Sequence, residues 1–325
     1  MKNIHRQLLE HIQSGQRIVL ATVVKTSGST PQKPGSSALF GEKGLIAGTI
    51  GGGQLEGDVE QIARKALISG SSGLYYFNLN TEPESPGAIC GGETEVLVDA
   101  SPDKHRMALE EMEKALSKGS EGHICTIVSN KPDEDLSIQQ KWITGTDPQL
   151  PSDEENACLF VEPIKPFPQL VIAGAGHVGR ALAHLASLLD FEITIIDDRR
   201  EYACLDNIPD ADNFIVKDIG LAISELEQGG DTYIVIVTRG HTSDAEALKA
   251  CMGSGAAYVG MIGSKHKVAI MKKQFIESGL ATEEQWSRIH TPIGISIASV
   301  TVQEIAISIA AQLVSERAKK LSGDA

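Results

Sequence analysis

The chain has 325 residues, enough for two domains with separate cores. Its hydrophobic content of 41% is ordinary for a globular protein, and 43 acidic residues outweigh 29 basic ones, giving a formal net charge of -14. That balance, with basic residues scattered and no basic run interleaved with aromatics, argues against nonspecific nucleic-acid binding and against anionic membrane surfaces.

The opening stretch MKNIHRQLLEHIQSG predicts an amphipathic helix with Ile4, Leu8 and Ile12 in register, without the apolar core of a signal peptide. Arg17 to Val24 alternates and is rich in β-branched residues, as a strand would be. Lys25 to Ser37, KTSGSTPQKPGSS, carries two prolines and two glycines and reads as a loop. Its Ser29, Thr30, Lys33, Ser36 and Ser37 could hold an anion. Leu45 to Ile50 predicts a strand that ends in Gly51-Gly52-Gly53, and a helix with Leu55, Val59, Ile62, Ala63 and Ala66 on its buried stripe follows. Glycines at a helix start expose backbone N–H groups suited to anions, while Glu56 and Asp58 in the first turn suit the helix dipole.

Gly73 to Leu79 and Thr94 to Asp99 predict strands flanking Ala88-Ile89-Cys90-Gly91-Gly92-Glu93. Cys90 is the cysteine that stands out, because its flanking glycines leave a soft thiolate approachable. A lone cysteine is more often a small buried hydrophobe, and Cys125, Cys158, Cys204 and Cys251 read that way. An odd, widely spaced set of five with no CxxC suits reduced thiols and a cytoplasmic protein. A helix over Lys104 to Leu116 precedes three strands, His123 to Ser129, Gln139 to Thr144 and Ala157 to Glu162. Pro163, Pro166 and Pro168 then mark a linker, which divides the chain into an α/β domain over 1–165 and a second domain over 166–325.

The second domain opens on LVIAGAGHVGRALAHLASLLDFEITIIDD, Leu170 to Asp198. An apolar run, a glycine turn, an amphipathic stretch with Leu182, Leu185, Ala186 and Leu189 on one face, and a second apolar run ending in Asp197 spell strand, turn, helix, strand. This is the pattern of a Rossmann-like unit with a doubly wound parallel sheet. Gly174 permits the tight turn, Gly176 lets the backbone approach a pyrophosphate, and Gly179 lets helix and strand pack closely. Asp197 stands where a carboxylate accepts a ribose diol and repels a 2′-phosphate, so NAD, or the nucleotide half of a dinucleotide cofactor, is expected over NADP. His177 reads as a helix-start residue. A scaffold whose turn serves packing alone has the same spacing.

Further strands are expected over Asn213 to Val216, Thr232 to Thr238 and Ala257 to Ile262. A capping box of Ser243 and Glu246 would start a helix over Ala245 to Met252, and a second box of Thr301 and Glu304 would start the last helix. His241, Asp244 and Lys265 follow strand ends and should face one crevice, with the first-turn position as the structural role for Asp244. Ile293 to Val314 is broken by Thr301, Gln303 and Glu304 and does not read as a membrane span.

Taken together, GSTPQKPGSS, GTIGGGQLE, CGG, GAGHVG, TRGHTSD, YVGMIGSKHK and HTPIGISI with QEIAISIAAQL resemble the XdhC/CoxI family of accessory factors for molybdenum hydroxylases. The resemblance covers both domains in order. It implies binding of molybdenum cofactor (molybdopterin), protection during its sulfuration, and delivery to a xanthine dehydrogenase-type apo-enzyme. It also implies a cysteine desulfurase as second partner and a homodimer. Within the matched motifs, Gly51, Gly52, Gly53, Glu56, Cys90, Gly91, His241 and Asp244 carry over. Some relatives have a cysteine after the first glycine turn, where this chain has Gln54. The alternatives are a nicotinamide-dependent oxidoreductase with His241 or Lys265 as acid–base residue, and a nucleotide-sensing regulatory module. The second domain shows no Tyr-x-x-x-Lys pair for hydride transfer.

Overall fold

The computed structural model describes residues 4–79, 91–129, 136–146 and 157–322, with backbone alone for 157–159 and 321–322. The chain forms two compact units, one over Lys2–Pro166 and one over Phe167–Ala325.

The first unit holds α1 (Ile4–Gln13), β1 (Val19–Gly28), β2 (Ser37–Gly41), β3 (Gly44–Gly48), α2 (Gly53–Ser69), β4 (Gly73–Asn78), β5 (Gly92–Asp99), α3 (Arg106–Leu116), β6 (Gly122–Ser129), β7 (Ser137–Thr144) and β8 (Ala157–Ile164). The first five strands make an antiparallel sheet in the order β3-β2-β1-β5-β4, and the other three a sheet in the order β7-β6-β8. Period-two alternation splits β1 between two cores. Val19, Ala21 and Val23 pack with Leu55, Val59 and Ala63 of α2, while Leu20 joins Leu8, Leu109 and Ile124 on the opposite face.

Two sequence expectations change here. The loop expected over Lys25 to Ser37 is shorter, because β1 runs on to Gly28 and pairs with β5 as far as Gly28↔Gly92. The five residues of β2, too few for a periodic signal beside a proline- and glycine-rich stretch, form a fully buried strand. Pro163 lies inside β8 opposite His123, on an edge strand where a missing N–H costs no ladder bond.

The second unit holds β9 (Gln169–Ala173), α4 (His177–Ser187), β10 (Glu192–Asp197), β11 (Asn213–Val216), α5 (Ile219–Glu225), β12 (Thr232–Ile236), α6 (His241–Cys251), β13 (Tyr258–Met261), α7 (Lys265–Glu277), α8 (Glu283–Ser287), β14 (Ile289–His290) and α9 (Val302–Ser322). Six parallel strands lie in the order β11-β10-β9-β12-β13-β14, the doubly wound order with its switch point between β9 and β12. Helices cover both faces, so β12 is buried along its whole length and lacks polar alternation. Among the described residues no helix is long and apolar enough to cross a membrane.

One side chain of α9, Gln312, links the sheet edge to the segment that follows it. Gln312 Oε1 accepts from the Tyr258 hydroxyl at 2.7 Å and from the Gly294 N–H at 2.7 Å. Those two donors fix the amide, so Gln312 Nε2 donates to His290 Nδ1 at 3.3 Å. His290 is therefore neutral at Nδ1, consistent with burial holding its pKa below the usual range. Its ring stacks on Tyr258 with centroids 4.6 Å apart. Gly260 makes room, since a Cβ there would lie 2.5 Å from the Tyr258 hydroxyl. Gln312→Ala strips two buried donors of their acceptor and should destabilise the protein by about 2–3 kcal/mol, against about 0.5 kcal/mol for Ile307→Ala on the exposed side of the same helix. Denaturant titration of both variants checks this; equal losses would mean that Gln312 is not the tie.

Candidate functional site

The glycine turn between β9 and α4 sits at the switch point. Gly174 has φ +119°, and a Cβ there would lie 2.5 Å from the Val237 carbonyl oxygen. At Gly179 a Cβ would lie 1.9 Å from the Gly174 carbonyl oxygen, so the helix packs on the turn only as glycine. At Gly176 a Cβ would meet nothing within 4 Å. The first and third glycines are thus packing requirements, and the second opens onto free space at the N-cap of α4. His177 is an exposed helix-start residue, in keeping with its position in the motif.

Asp197 departs from expectation. It is 2% exposed, and its carboxylate faces inward. Oδ2 accepts from the Ala175 N–H at 2.8 Å and from Arg199 Nη2 at 2.9 Å. Oδ1 accepts from the Arg199 N–H at 3.1 Å and Nε at 2.8 Å. Burial alone would push this carboxyl up, but the Arg199 hydrogen bond and the Ala175 and Arg199 backbone N–H groups outweigh it, so its pKa lies below the ordinary value. The guanidinium lies 3.8 Å over the Tyr202 ring. The carboxylate expected to receive a ribose diol instead clamps the glycine turn to the strand tip.

Across the switch point, α6 begins at His241 with Gly240 as N-cap and no side-chain cap, so the Ser243–Glu246 capping box does not form. The earlier start turns Asp244 inward. It is 0% exposed, accepts from the Thr238 hydroxyl at 2.6 Å, and pairs with the Lys267 ammonium. The Thr301–Glu304 box does form, through Glu304 N–H to Thr301 Oγ1 at 3.3 Å and Thr301 N–H to Glu304 Oε2 at 2.9 Å. His241 reaches Gln274 Oε1 at 3.4 Å rather than Asp244. Lys265 is exposed at the start of α7, and Lys267 takes the inward place expected of it.

In the first unit three separate motifs meet. A Cβ on Gly51 would lie 2.8 Å from Pro31 Cγ, and the Ser29 N–H donates to the Gly91 carbonyl at 3.3 Å. A Cβ on Gly92 would lie 2.5 Å from the Ser29 carbonyl oxygen. The loop after β1, the turn before α2 and the segment entering β5 therefore share one corner. Cys90 lies outside the described residues, one position before Gly91. Glu56 is not a plain dipole partner. Its Oε2 accepts from the Thr49 hydroxyl at 2.7 Å and from the Ile50 and Gly52 N–H groups, each at 3.3 Å. Gly51 donates to the Thr49 hydroxyl at 3.2 Å. The chain's own carboxylate thus occupies the Gly52 N–H, one of the three glycine donors that an anion was expected to use. Lys33 is exposed on the same loop. Among the described residues no group of three or more His, Cys, Asp or Glu is arranged to hold a metal ion.

Sequence reasoning missed Arg199, Lys267 and the contact of Pro31 with Gly51. Only Arg199 left a trace, as a cation directly after the two acids that close β10.

The fold and these two sites define a two-unit α/β protein with a Rossmann unit at its C-terminal side. Residues 170–313 match the XdhC Rossmann domain, and residues 11–78 match the XdhC and CoxI family. The chain belongs to the XdhC/CoxI family. A Bacillus subtilis protein, named as one of the probable subunits of xanthine dehydrogenase, is 25% identical over 334 residues, spanning 98% of each chain. The uncharacterized Escherichia coli protein YqeB is 27% identical over 297 residues, spanning 91% of this chain and 42% of that protein. A crystal structure described as a xanthine dehydrogenase from Bacillus halodurans superposes with a TM-score of 0.75 at 25% identity, covering 98% of this chain and 96% of that one.

Two outcomes follow from the charges. Lys267→Met strands the buried Asp244 carboxylate and should cost about 3–5 kcal/mol, part of it recovered by adding Asp244→Asn, whose neutral amide needs no cation. Additive losses in chemical denaturation would mean that the pair is not coupled. The depressed pKa of Asp197 sets a pH window. Its contribution to stability is complete above the unfolded carboxyl value of about 3.9 and is lost as pH falls through the lower folded value. The stability gap between wild type and Asp197→Asn should hold from neutral pH to about pH 5 and shrink below about pH 4. A gap that stays constant down to about pH 3 in urea titrations would contradict this.

Proposed function

We propose that the protein is an accessory factor for a xanthine dehydrogenase-type molybdenum hydroxylase, in which it binds molybdenum cofactor as cargo, supports its sulfuration and passes it to the apo-enzyme. The observation that carries this reading is the shared corner of the first unit. There Pro31 sits on Gly51 and the Ser29 N–H holds the carbonyl of Gly91, the residue that follows Cys90 in the sequence. The Cys90 thiolate is a soft ligand of the kind that sulfur and molybdenum favour. The thiols buried elsewhere are poor candidates: burial pushes Cys125 up, and Cys251 up to about 12. The names of the B. subtilis and B. halodurans relatives point to the same enzyme system.

The two glycine turns fit the cofactor's phosphate unequally. The turn at Gly174–Gly179 has open space over Gly176 at a helix start, a suitable seat for a phosphate or for the pyrophosphate of a separately bound nucleotide such as NAD or NADP. The turn at Gly51–Gly53 has two of its nearby N–H groups held by Glu56, so a phosphate would have to displace that carboxylate. Gly52 and Gly53 nonetheless face open space. His241 and Asp244 support the crevice from its far wall, Asp244 through Lys267 and Thr238. A cysteine desulfurase as sulfur donor, a homodimer and a cytoplasmic location complete the proposal.

Coexpression with a xanthine dehydrogenase-type apo-enzyme tests it: hydroxylase activity should rise with the intact chain. Cys90→Ser should fold normally yet retain less molybdopterin by at least about tenfold, whereas Cys125→Ser should retain it. Unchanged molybdopterin content in Cys90→Ser would remove Cys90 from the site, and unchanged hydroxylase activity with and without the intact chain would remove the accessory role.

A further inference from the structure

We infer that the crevice at the Gly174–Gly179 turn selects a nucleotide carrying a phosphate on the ribose 2′ oxygen over one with a free diol, and that Arg199 makes the selection. This rests on the nucleotide reading of that crevice given above, and it reverses the preference that the sequence suggested.

A carboxylate has roughly four acceptor positions. In Asp197 all four are filled: the Ala175 N–H, the Arg199 N–H, Arg199 Nε and Arg199 Nη2 each donate to it at 2.8 to 3.1 Å. No acceptor position is left for two ribose hydroxyls, and at 2% exposure the side chain does not reach a ligand outside the turn. Its usual partner in the ligand is thereby excluded by the protein's own donors.

Arg199 has the opposite balance. A guanidinium offers five N–H donors. Two of them, one on Nε and one on Nη2, go to Asp197. The other three, two on Nη1 and one on Nη2, lie on the edges turned away from that carboxylate. The group is held still, by Asp197 on one edge and by the Tyr202 ring 3.8 Å beneath one face. Its side chain is 20% exposed, and it stands just after the tip of β10, where the ribose of a dinucleotide lies in a Rossmann unit. A fixed, planar, doubly donating edge matches a phosphate monoester, which offers acceptors in pairs, far better than it matches a diol, which must also donate. The neighbouring charges are Asp198, Arg200 and Glu201. Asp198 comes within 3.8 Å of Arg199 Nε but is 63% exposed, so solvent weakens its opposition to a phosphate.

Calorimetry on the full-length protein with NADP, NAD, 2′-AMP and 5′-AMP tests the inference. NADP should bind at least about tenfold more tightly than NAD, and 2′-AMP more tightly than 5′-AMP, the difference expected for a hydrogen-bonded charge pair. Arg199→Met should lose that preference and bind NADP no more tightly than NAD, because the fixed donors for the 2′-phosphate are gone. Arg200→Met should keep it. Should Arg199→Met fail to fold, Asp198→Asn carries the mutational test, and it should strengthen NADP binding while leaving NAD within about twofold. Wild-type protein that binds NAD as well as NADP overturns the role of Arg199 and leaves the nucleotide reading standing. Protein that binds none of the four compounds overturns the nucleotide reading and this inference with it.

Discussion

The second unit depends on one buried carboxylate. Asp197 gathers the Ala175 N–H from the glycine turn and three N–H groups of Arg199, and so joins the ends of two neighbouring strands through a single side chain. A buried ion is favourable only when its hydrogen bonds are complete, and here they are. The backbone supports the same junction, with the Gly174 N–H donating to the Ile196 carbonyl and the Val237 N–H to the Ala173 carbonyl. The glycine turn and the tips of β9, β10 and β12 are therefore held together by the chain's own groups.

The first unit reaches a similar arrangement by different means. Glu56 comes from within its own helix and collects the Ile50 and Gly52 N–H groups together with the Thr49 hydroxyl. In both units, then, a turn rich in glycine is closed over an internal anion. The difference lies in what remains open. At Gly176 the space beyond the turn is clear and the Asp197 carboxylate lies to one side, whereas Glu56 sits on the N–H groups themselves. The two turns look alike as strings of glycine and differ in the reach of the nearest acid.

Much of this was legible in the residue order. The three glycines of GAGHVG have separate geometric duties at fixed spacing, and the structure shows the tight turn at Gly174 and the close packing at Gly179, with open space beside Gly176. The parallel sheet was legible because strands buried on both faces are mostly apolar. Side-chain direction was not. Lys265 and Lys267 lie about 200° apart around the helix, and spacing alone does not say which turns inward until the helix start is fixed. The start of α6 was misplaced for a related reason: Ser243 and Glu246 have the spacing of a capping box, but Gly240 takes the N-cap. The partner of Asp197 was hidden because an acid at a strand tip looks the same whether it waits for a ribose or holds an arginine two residues on. Cys90 lies outside the described residues, and only its sequence neighbour Gly91 is placed, its carbonyl accepting from the Ser29 N–H.

The tie through Gln312 has a consequence for local opening. β14 is only two residues long and, taken as an edge strand, has little ladder of its own to hold it. Its attachment runs through His290 to a glutamine on α9, and the same glutamine holds the backbone at Gly294. The edge strand, the segment after it and the last helix then share one opening event: the amide of Gly294 becomes available to solvent deuterium only when α9 lifts from the sheet. Its exchange rate, with that of Ile295, whose N–H donates to the Ser308 carbonyl, would follow that of the amides around Gln312, far along the chain.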